Sequence, residues 1–146
     1  LQLRKGKTLV FTNGVFDIVH AGHVDYLERA RGLGDMLVVG LNTDASVKQL
    51  GKGDDRPINP LEDRARVVAA FRCVDAVVAF AETDPCGLIA RLQTEIHVKG
   101  GDYEPEDMPE TNVVRSYGGQ VVILPFLEGR STTNILKKIS ETVSEG

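Results

Sequence analysis

The feature that most limits the possible folds of this chain is an alternation of short apolar runs with amphipathic helical patterns. Strands alternating with helices predict a parallel sheet, covered by helices on both faces and joined by right-handed crossovers. We therefore expect one α/β, Rossmann-like domain over residues 1–146, with a five-stranded parallel sheet and helices on both faces. The predicted strands are 8–12, 36–41, 75–80, 96–99 and 120–124, and the predicted helices are 22–31, 59–71, 84–92, 111–117 and one from Ser131 or Thr132.

The residues before a predicted helix help to locate where that helix begins. In the second helix, Asn59 is predicted as the N-cap, Pro60 suits the first position, and Glu62 can complete a capping box.

Ligands of such sheets bind beyond the carboxyl ends of the strands. Four loops lie there: 13–23, 42–58, 99–109 and 125–133. No G-x-G-x-x-G follows the first strand and no P-loop motif occurs. This excludes a usual dinucleotide-binding protein and a P-loop enzyme.

The first loop places His20 and His23 three residues apart, with Gly22 between them. Residues at this spacing share one helix face, so a helix beginning near His20 directs both imidazoles from its first turn. That turn also offers unpaired N–H groups and the positive end of the helix dipole. Gly22 lets a phosphate approach the backbone closely. Histidines with an ordinary pKa can donate in neutral or charged form, so we expect a polyphosphate site.

Two other interpretations of the histidine pair stay open on sequence alone. The histidines can be surface residues beside a turn, or they can be metal ligands with Asp17 as the one nearby third candidate. No Cys/His cluster follows them. The order of a strand, Asn13-Gly14, Phe16 and then the helix favours the phosphate interpretation.

Other loops carry residues of similar chemistry. Lys48 and Lys52 flank Gly51, either as solvated residues or as lysines of a mobile loop that closes on phosphates. After the fourth strand, Gly101 permits close approach, and Asp102 can accept from a ribose or base, help a metal site, or remain solvated. His97 is predicted to be structural because it lies within a short strand.

The fourth loop contains Arg130, Ser131, Thr132 and Thr133. A guanidinium, hydroxyl groups and the free N–H groups of a helix start predict a second phosphate site. The alternative is that the hydroxyls only cap the last helix.

These segments resemble a known superfamily. The sequence HAGH at 20–23 is similar to the H-x-G-H signature of the cytidylyltransferase-like nucleotidyltransferases, and RSTT at 130–133 is similar to their C-terminal motif. Together with NGVFDIVHAGHVDYLERAR, LNTDASVK, RPINPLEDR, VKGGDY and GRSTTNILKKI, the chain resembles the bacterial heptose 1-phosphate adenylyltransferases. Glycerol-3-phosphate cytidylyltransferases carry an arginine where this chain has Phe126, which disfavours that activity.

The resemblance implies a reaction of ATP with a sugar 1-phosphate that gives an ADP-sugar and pyrophosphate, with Mg²⁺ bound mainly through the ATP phosphates. It implies that His20 and His23 hold those phosphates and that Lys48 or Lys52 assists the acceptor. Residues implied to contact the nucleotide are Asn13, Val15, Phe16, Asp17, His20, Gly22, His23, Gly101, Asp102, Arg130, Ser131, Thr132 and Thr133. A homodimer is also implied. Alternatives are an FAD synthetase, the glycerol-phosphate enzyme, or a non-catalytic nucleotide-binding regulatory module.

The net charge, the cysteines and the apolar runs indicate which kinds of partner and which cellular compartment to expect. The net charge is −4, which gives no basis for a nucleic-acid surface. The two cysteines form neither a disulfide framework nor a zinc pattern. No run approaches the length of a membrane span, and the first seven residues lack the apolar segment of a signal peptide. We therefore expect a cytoplasmic protein that binds neither membrane nor nucleic acid.

Overall fold

The computed structural model describes residues 5–51, 53, 55–125 and 132–145. Within them the strands are β1 (Leu9–Gly14), β2 (Met36–Asn42), β3 (Ala76–Phe80), β4 (Ile96–Gly100) and β5 (Gln120–Leu124). The α-helices are α1 (Ala21–Arg31), α2 (Asp44–Gln49), α3 (Leu61–Ala69), α4 (Cys86–Leu92), α5 (Pro109–Ser116) and α6 (Thr132–Glu145), and a 3₁₀ turn covers Pro105–Asp107.

All five strands belong to one parallel sheet in the order β3-β2-β1-β4-β5. The predicted fold class is therefore confirmed. The strand order reverses between β1 and β4, so the crevice of the topological switch lies at the carboxyl end of β1. The loop 13–23, which carries His20 and His23 and is called the histidine loop below, follows β1 at this point.

Two apolar clusters bury the two faces of the sheet, because side chains alternate along each strand. On one face Val10 of β1 packs with Tyr26 and Leu27 of α1 and with Val68 of α3. On the other face, Phe11 packs with a cluster drawn from α4 and α5, namely Leu88, Ile89 and Val114. The strands are thus covered on both sides, which explains their apolar runs without polar alternation.

One helix was not predicted from the sequence. The segment 42–58 reads as a polar loop, but Asp44–Gln49 forms the short helix α2. Thr43 caps it, with its hydroxyl oxygen accepting from the Ser46 N–H over 3.3 Å. Ser46 is fully buried, and its hydroxyl donates to the Glu82 carbonyl over 2.8 Å. Tertiary hydrogen bonds therefore stabilise a helix too short to be stable alone.

The predicted cap of the next helix was wrong. Pro60, not Asn59, is the N-cap of α3, and it makes no side-chain cap hydrogen bond. The Asn59 side chain instead donates to the Asp17 carbonyl over 2.6 Å. The Asn59 side-chain amide, which the sequence suggested as the cap of α3, therefore binds the backbone of the histidine loop instead.

Candidate active site at the carboxyl end of the central strand

The two histidines form a capping box at the start of α1. His20 is the N-cap residue, in an extended conformation, and its Nδ1 accepts from the Gly22 N–H over 3.0 Å. Nδ1 of His23 accepts from the His20 N–H over 3.2 Å. Both Nδ1 atoms therefore act as acceptors, which assigns the hydrogen of each neutral ring to Nε2. The predicted helix start at His20 is confirmed.

This arrangement changes the expected protonation of His23. Burial, with a smaller contribution from the charge of His20, lowers the pKa of His23 to about 4. Protonation at Nδ1 also removes the hydrogen bond to the His20 N–H. The expectation that this histidine keeps an ordinary pKa was wrong, because near pH 7 the ring is a neutral Nε2–H donor.

Asp17 lies in the same loop as the histidines, and its carboxylate binds the segment 56–59 that precedes α3. Its carboxylate accepts from the Arg56 Nε, the Ile58 N–H and the Asn59 N–H, each over 2.8 Å. The side chain of Asp17 has no exposed surface. Burial alone would raise the pKa of Asp17, but hydrogen bonds from Asn59, Ile58 and Arg56 outweigh it and hold the pKa below 3.8. The hydrogen bonds of the Asp17 carboxylate are thus made within the protein, to the segment 56–59.

Replacing Asp17 with Asn should destabilise the fold by about 1–3 kcal/mol near pH 7, because the charge-assisted hydrogen bonds are weakened. A carboxylate with a depressed folded pKa adds stability above its unfolded pKa, and that stability is lost as the pH falls through the folded pKa. The difference between wild type and D17N in urea unfolding should therefore shrink as the pH falls from about 3.8 toward the lower folded pKa. A difference independent of pH would contradict an ionised Asp17.

Arg64 is a further buried hub that sequence reasoning missed. Its side chain has no exposed surface. Nη1 donates to the Val15 carbonyl over 2.9 Å, and Nε donates to the Asn59 carbonyl over 2.9 Å. Nη2 donates to Oδ1 of Asp44 over 2.7 Å. One guanidinium therefore joins the histidine loop to the starts of α2 and α3. Its position within the quoted segment RPINPLEDR was the one available signal.

The lysine of the second loop lies on α2. Nζ of Lys48 donates to the Arg56 carbonyl over 3.4 Å. Since Arg56 is bound to Asp17, this places Lys48 beside the segment 56–59 that binds Asp17. Lys52 lies outside the described residues.

Gly101, Asp102 and Asn13 lie at the carboxyl ends of β4 and β1, which are neighbouring strands of the sheet. Gly101 has φ +112°, which only glycine adopts readily, and its N–H donates to the Leu124 carbonyl over 3.0 Å. Asp102 is exposed beside it. Oδ1 of Asn13 is buried and accepts no hydrogen bond from the described part of the chain. A buried acceptor in this state indicates a place for a ligand donor.

The C-terminal motif is described only in part. Arg130 and Ser131 lie outside the described residues, while the backbone of Thr132 and Thr133 begins α6. The end of β5 is fixed to α1 because Nη2 of Arg29 donates to the Pro125 carbonyl over 2.6 Å. His97 is fully buried and stacks on Phe11 at 5.7 Å between ring centroids, in agreement with a structural role.

Comparison with known proteins identifies the family. The cytidylyltransferase-like family profile matches residues 11–138. The chain belongs to the cytidylyltransferase-like family. It is 54% identical over 138 residues to the D-beta-D-heptose 1-phosphate adenylyltransferase of Bordetella bronchiseptica, covering 94% of this chain and 85% of that one. The resemblance predicted from the motifs, and with it the prediction of a nucleotidyltransferase, are confirmed.

Two further comparisons show how the length of this cytidylyltransferase-like chain relates to the lengths of similar proteins. It is 50% identical over 146 residues to the bifunctional protein HldE of Syntrophotalea carbinolica, of which it spans 30%. The crystal structure of a lipopolysaccharide core biosynthesis protein from Thermoplasma volcanium superposes with a TM-score of 0.68 at 28% identity. That superposition covers 84% of this chain and 98% of the other. The chain therefore corresponds to less than a third of a bifunctional relative and to nearly all of a shorter one.

Two structural findings concern metals and membranes. Within the described ranges, no three His, Cys, Asp or Glu side chains come together as a metal site, so the alternative interpretation of the histidines as metal ligands with Asp17 has no support there. No α-helix in the same ranges is long and apolar enough to span a bilayer.

Proposed function

We propose that this chain transfers AMP from ATP to a sugar 1-phosphate, with D-glycero-β-D-manno-heptose 1-phosphate as the first candidate acceptor. The products are an ADP-sugar and pyrophosphate. The observation that carries the proposal is the identity of 54% with an enzyme bearing that activity in its name, over 94% of this chain. The histidine pair supports the chemistry, and the absence of an arginine at Phe126 argues for ATP over CTP.

The chemistry needs placement and charge more than proton transfer. An oxygen of the acceptor phosphate is already anionic near pH 7 and attacks the α-phosphorus. A new P–O bond forms as the bond to the bridging oxygen breaks, and the negative charge moves onto pyrophosphate. The Nε2–H groups of His20 and His23, beside the N-terminus of α1, stabilise that charge.

The remaining assignments follow from the same proposal. Asn13, Gly22 and the backbone of Val15 and Phe16 would line the nucleotide, with the buried Oδ1 of Asn13 as an acceptor. Asp17 supports the loop through the segment 56–59, and Lys48 assists the acceptor phosphate. Lys52, Gly101, Asp102 and the segment 130–133 keep the roles implied by the resemblance.

Mg²⁺ would be held mainly by the ATP phosphates. The ion would neutralise charge on the triphosphate when bound. A cytoplasmic homodimer that binds neither membrane nor nucleic acid completes the proposal.

Nucleotide and acceptor preference test the proposal together. Purified protein is incubated with ATP or CTP and with a panel of acceptors: heptose 1-phosphate, other sugar 1-phosphates, glycerol 3-phosphate and FMN. Pyrophosphate release gives kcat/KM for each pair. We expect ATP with the heptose 1-phosphate to exceed every other pair by at least about tenfold, a difference of roughly 1.4 kcal/mol in transition-state binding. A preference for CTP, or for FMN, would contradict the proposal.

A further inference from the structure

The backbone of Phe16 adopts a conformation that side chains rarely take. Its φ is +50°, in the left-handed region, although it is a bulky aromatic residue. A non-glycine residue in this region costs free energy and persists where the surroundings impose it, often at a functional site. The turn directs the ring inward, where Phe16 is 7% exposed and packs with Tyr26 and Leu27 of the core.

Gly14 provides the space for this ring. A Cβ added at Gly14 would lie 2.9 Å from Cε2 and 3.3 Å from Cδ2 of Phe16. Atoms at 2.9 Å overlap, and the buried ring has little room to retreat. The glycine two residues before Phe16 therefore permits the observed ring position.

The ring ends against a histidine of the proposed site. The centroids of Phe16 and His23 are 5.1 Å apart at an interplanar angle of 47°, and those of His23 and His20 are 4.0 Å apart. His23 is thus enclosed between an aromatic ring of the core and the other imidazole. Its Nδ1 is fixed by the His20 N–H, so the Phe16 contact determines the remaining rotation of the ring.

We propose that Phe16, in the space left by Gly14, is a positioning residue that fixes the orientation of His23 and shields it from water. The inference rests on the proposed function, since it assigns to the phenyl ring the alignment of a phosphate donor. Phe16 itself touches no reacting atom in this assignment. A displacement near 1 Å at such a donor can reduce turnover by about 10²-fold.

The charges around His23 agree with this role. Among the described residues, the titratable group that acts on it is His20, from the same helix start, and its effect on the pKa of His23 is secondary to that of burial. Phe16, from the loop between β1 and α1, contributes no charge. The apolar ring therefore acts by excluding water and by shape.

The test is the Phe16→Leu variant, which keeps an apolar side chain but removes the flat ring. Phe71→Leu is the matched control, because Phe71 also packs against the same core cluster. We expect F16L to lower kcat for ADP-sugar formation by about tenfold or more with little change in KM for ATP. NMR titration of His23 should show its pKa rising from about 4 toward 6.5. F71L should change neither.

The NMR titration does not depend on turnover, so it separates this inference from the proposed function. If the wild type transfers no AMP but the His23 titration shifts in F16L and not in F71L, the proposed function fails and the positioning contact stands. If F16L and F71L give the same kcat and the same titration, Phe16 is ordinary core and the inference is overturned. A shifted titration with unchanged kcat also overturns it.

Discussion

Replacing His23 with Gln should lower kcat for AMP transfer by about 10²–10³ while the protein stays folded, because one preorganised donor to the departing phosphates is lost. Gln suits this test for a structural reason. His23 occupies the third position of α1 and accepts from the His20 N–H, and Gln at that position can accept the same hydrogen bond. The variant therefore retains the cap through its amide oxygen and replaces the rigid imidazole Nε2–H by an amide N–H at a different position.

His20→Asn is the companion variant. Asn is among the best N-cap residues, so it replaces the acceptor for the Gly22 N–H while removing the imidazole. His20→Ala loses both and should cost about 0.5–2 kcal/mol of stability in addition. Kinetics and urea unfolding are measured on all three variants. Near-normal kcat in H23Q and H20N would assign the histidines to helix capping alone.

The strand pattern was readable from the sequence because apolar runs report burial on both faces of a sheet. The run at 120–124 matches β5 at both ends, and the run at 36–41 lacks only Asn42 of β2. The helix start at His20 was also readable, because residues at the spacing of His20 and His23 share one face of a helix. Local pattern suffices where local burial decides the structure.

The missed features depend on partners distant in sequence. The short helix α2 is held by Ser46 donating to Glu82, 36 residues away. Asn59 reads as a cap, but Asp17, 42 residues before it, takes its amide instead. The mutual capping of His20 and His23 is local, yet it required knowing which nitrogen of each ring faces the backbone. Such choices are made by tertiary packing and cannot be read from residue types.

Replacing Arg64 with Met should destabilise the protein by about 3–5 kcal/mol, the largest loss of stability expected here. Met keeps a long apolar stem but supplies no donor. The carbonyls of Val15 and Asn59 and the carboxylate of Asp44 would each lose a partner. Buried acceptors without donors carry their full desolvation cost.

Arg66→Met is the matched control, since Arg66 is an exposed arginine on the same helix. A substitution there should change the free energy of unfolding by no more than about 0.5 kcal/mol. Arg64→Lys separates charge from geometry. Lysine keeps the charge but cannot extend a planar fork to three acceptors, so R64K should recover only part of the loss.

The kinetic effect of Arg64 distinguishes a purely structural residue from one that also supports the histidine loop. The Val15 carbonyl lies in the loop that carries His20, and it accepts from Nη1 of Arg64. Releasing it should loosen that loop even where the fold survives. We therefore expect R64K to lower kcat under conditions in which urea unfolding shows it fully folded. If R64M unfolds at the same urea concentration as R66M, the buried guanidinium is not a structural hub, and Asp17 alone would hold the loops of the site together.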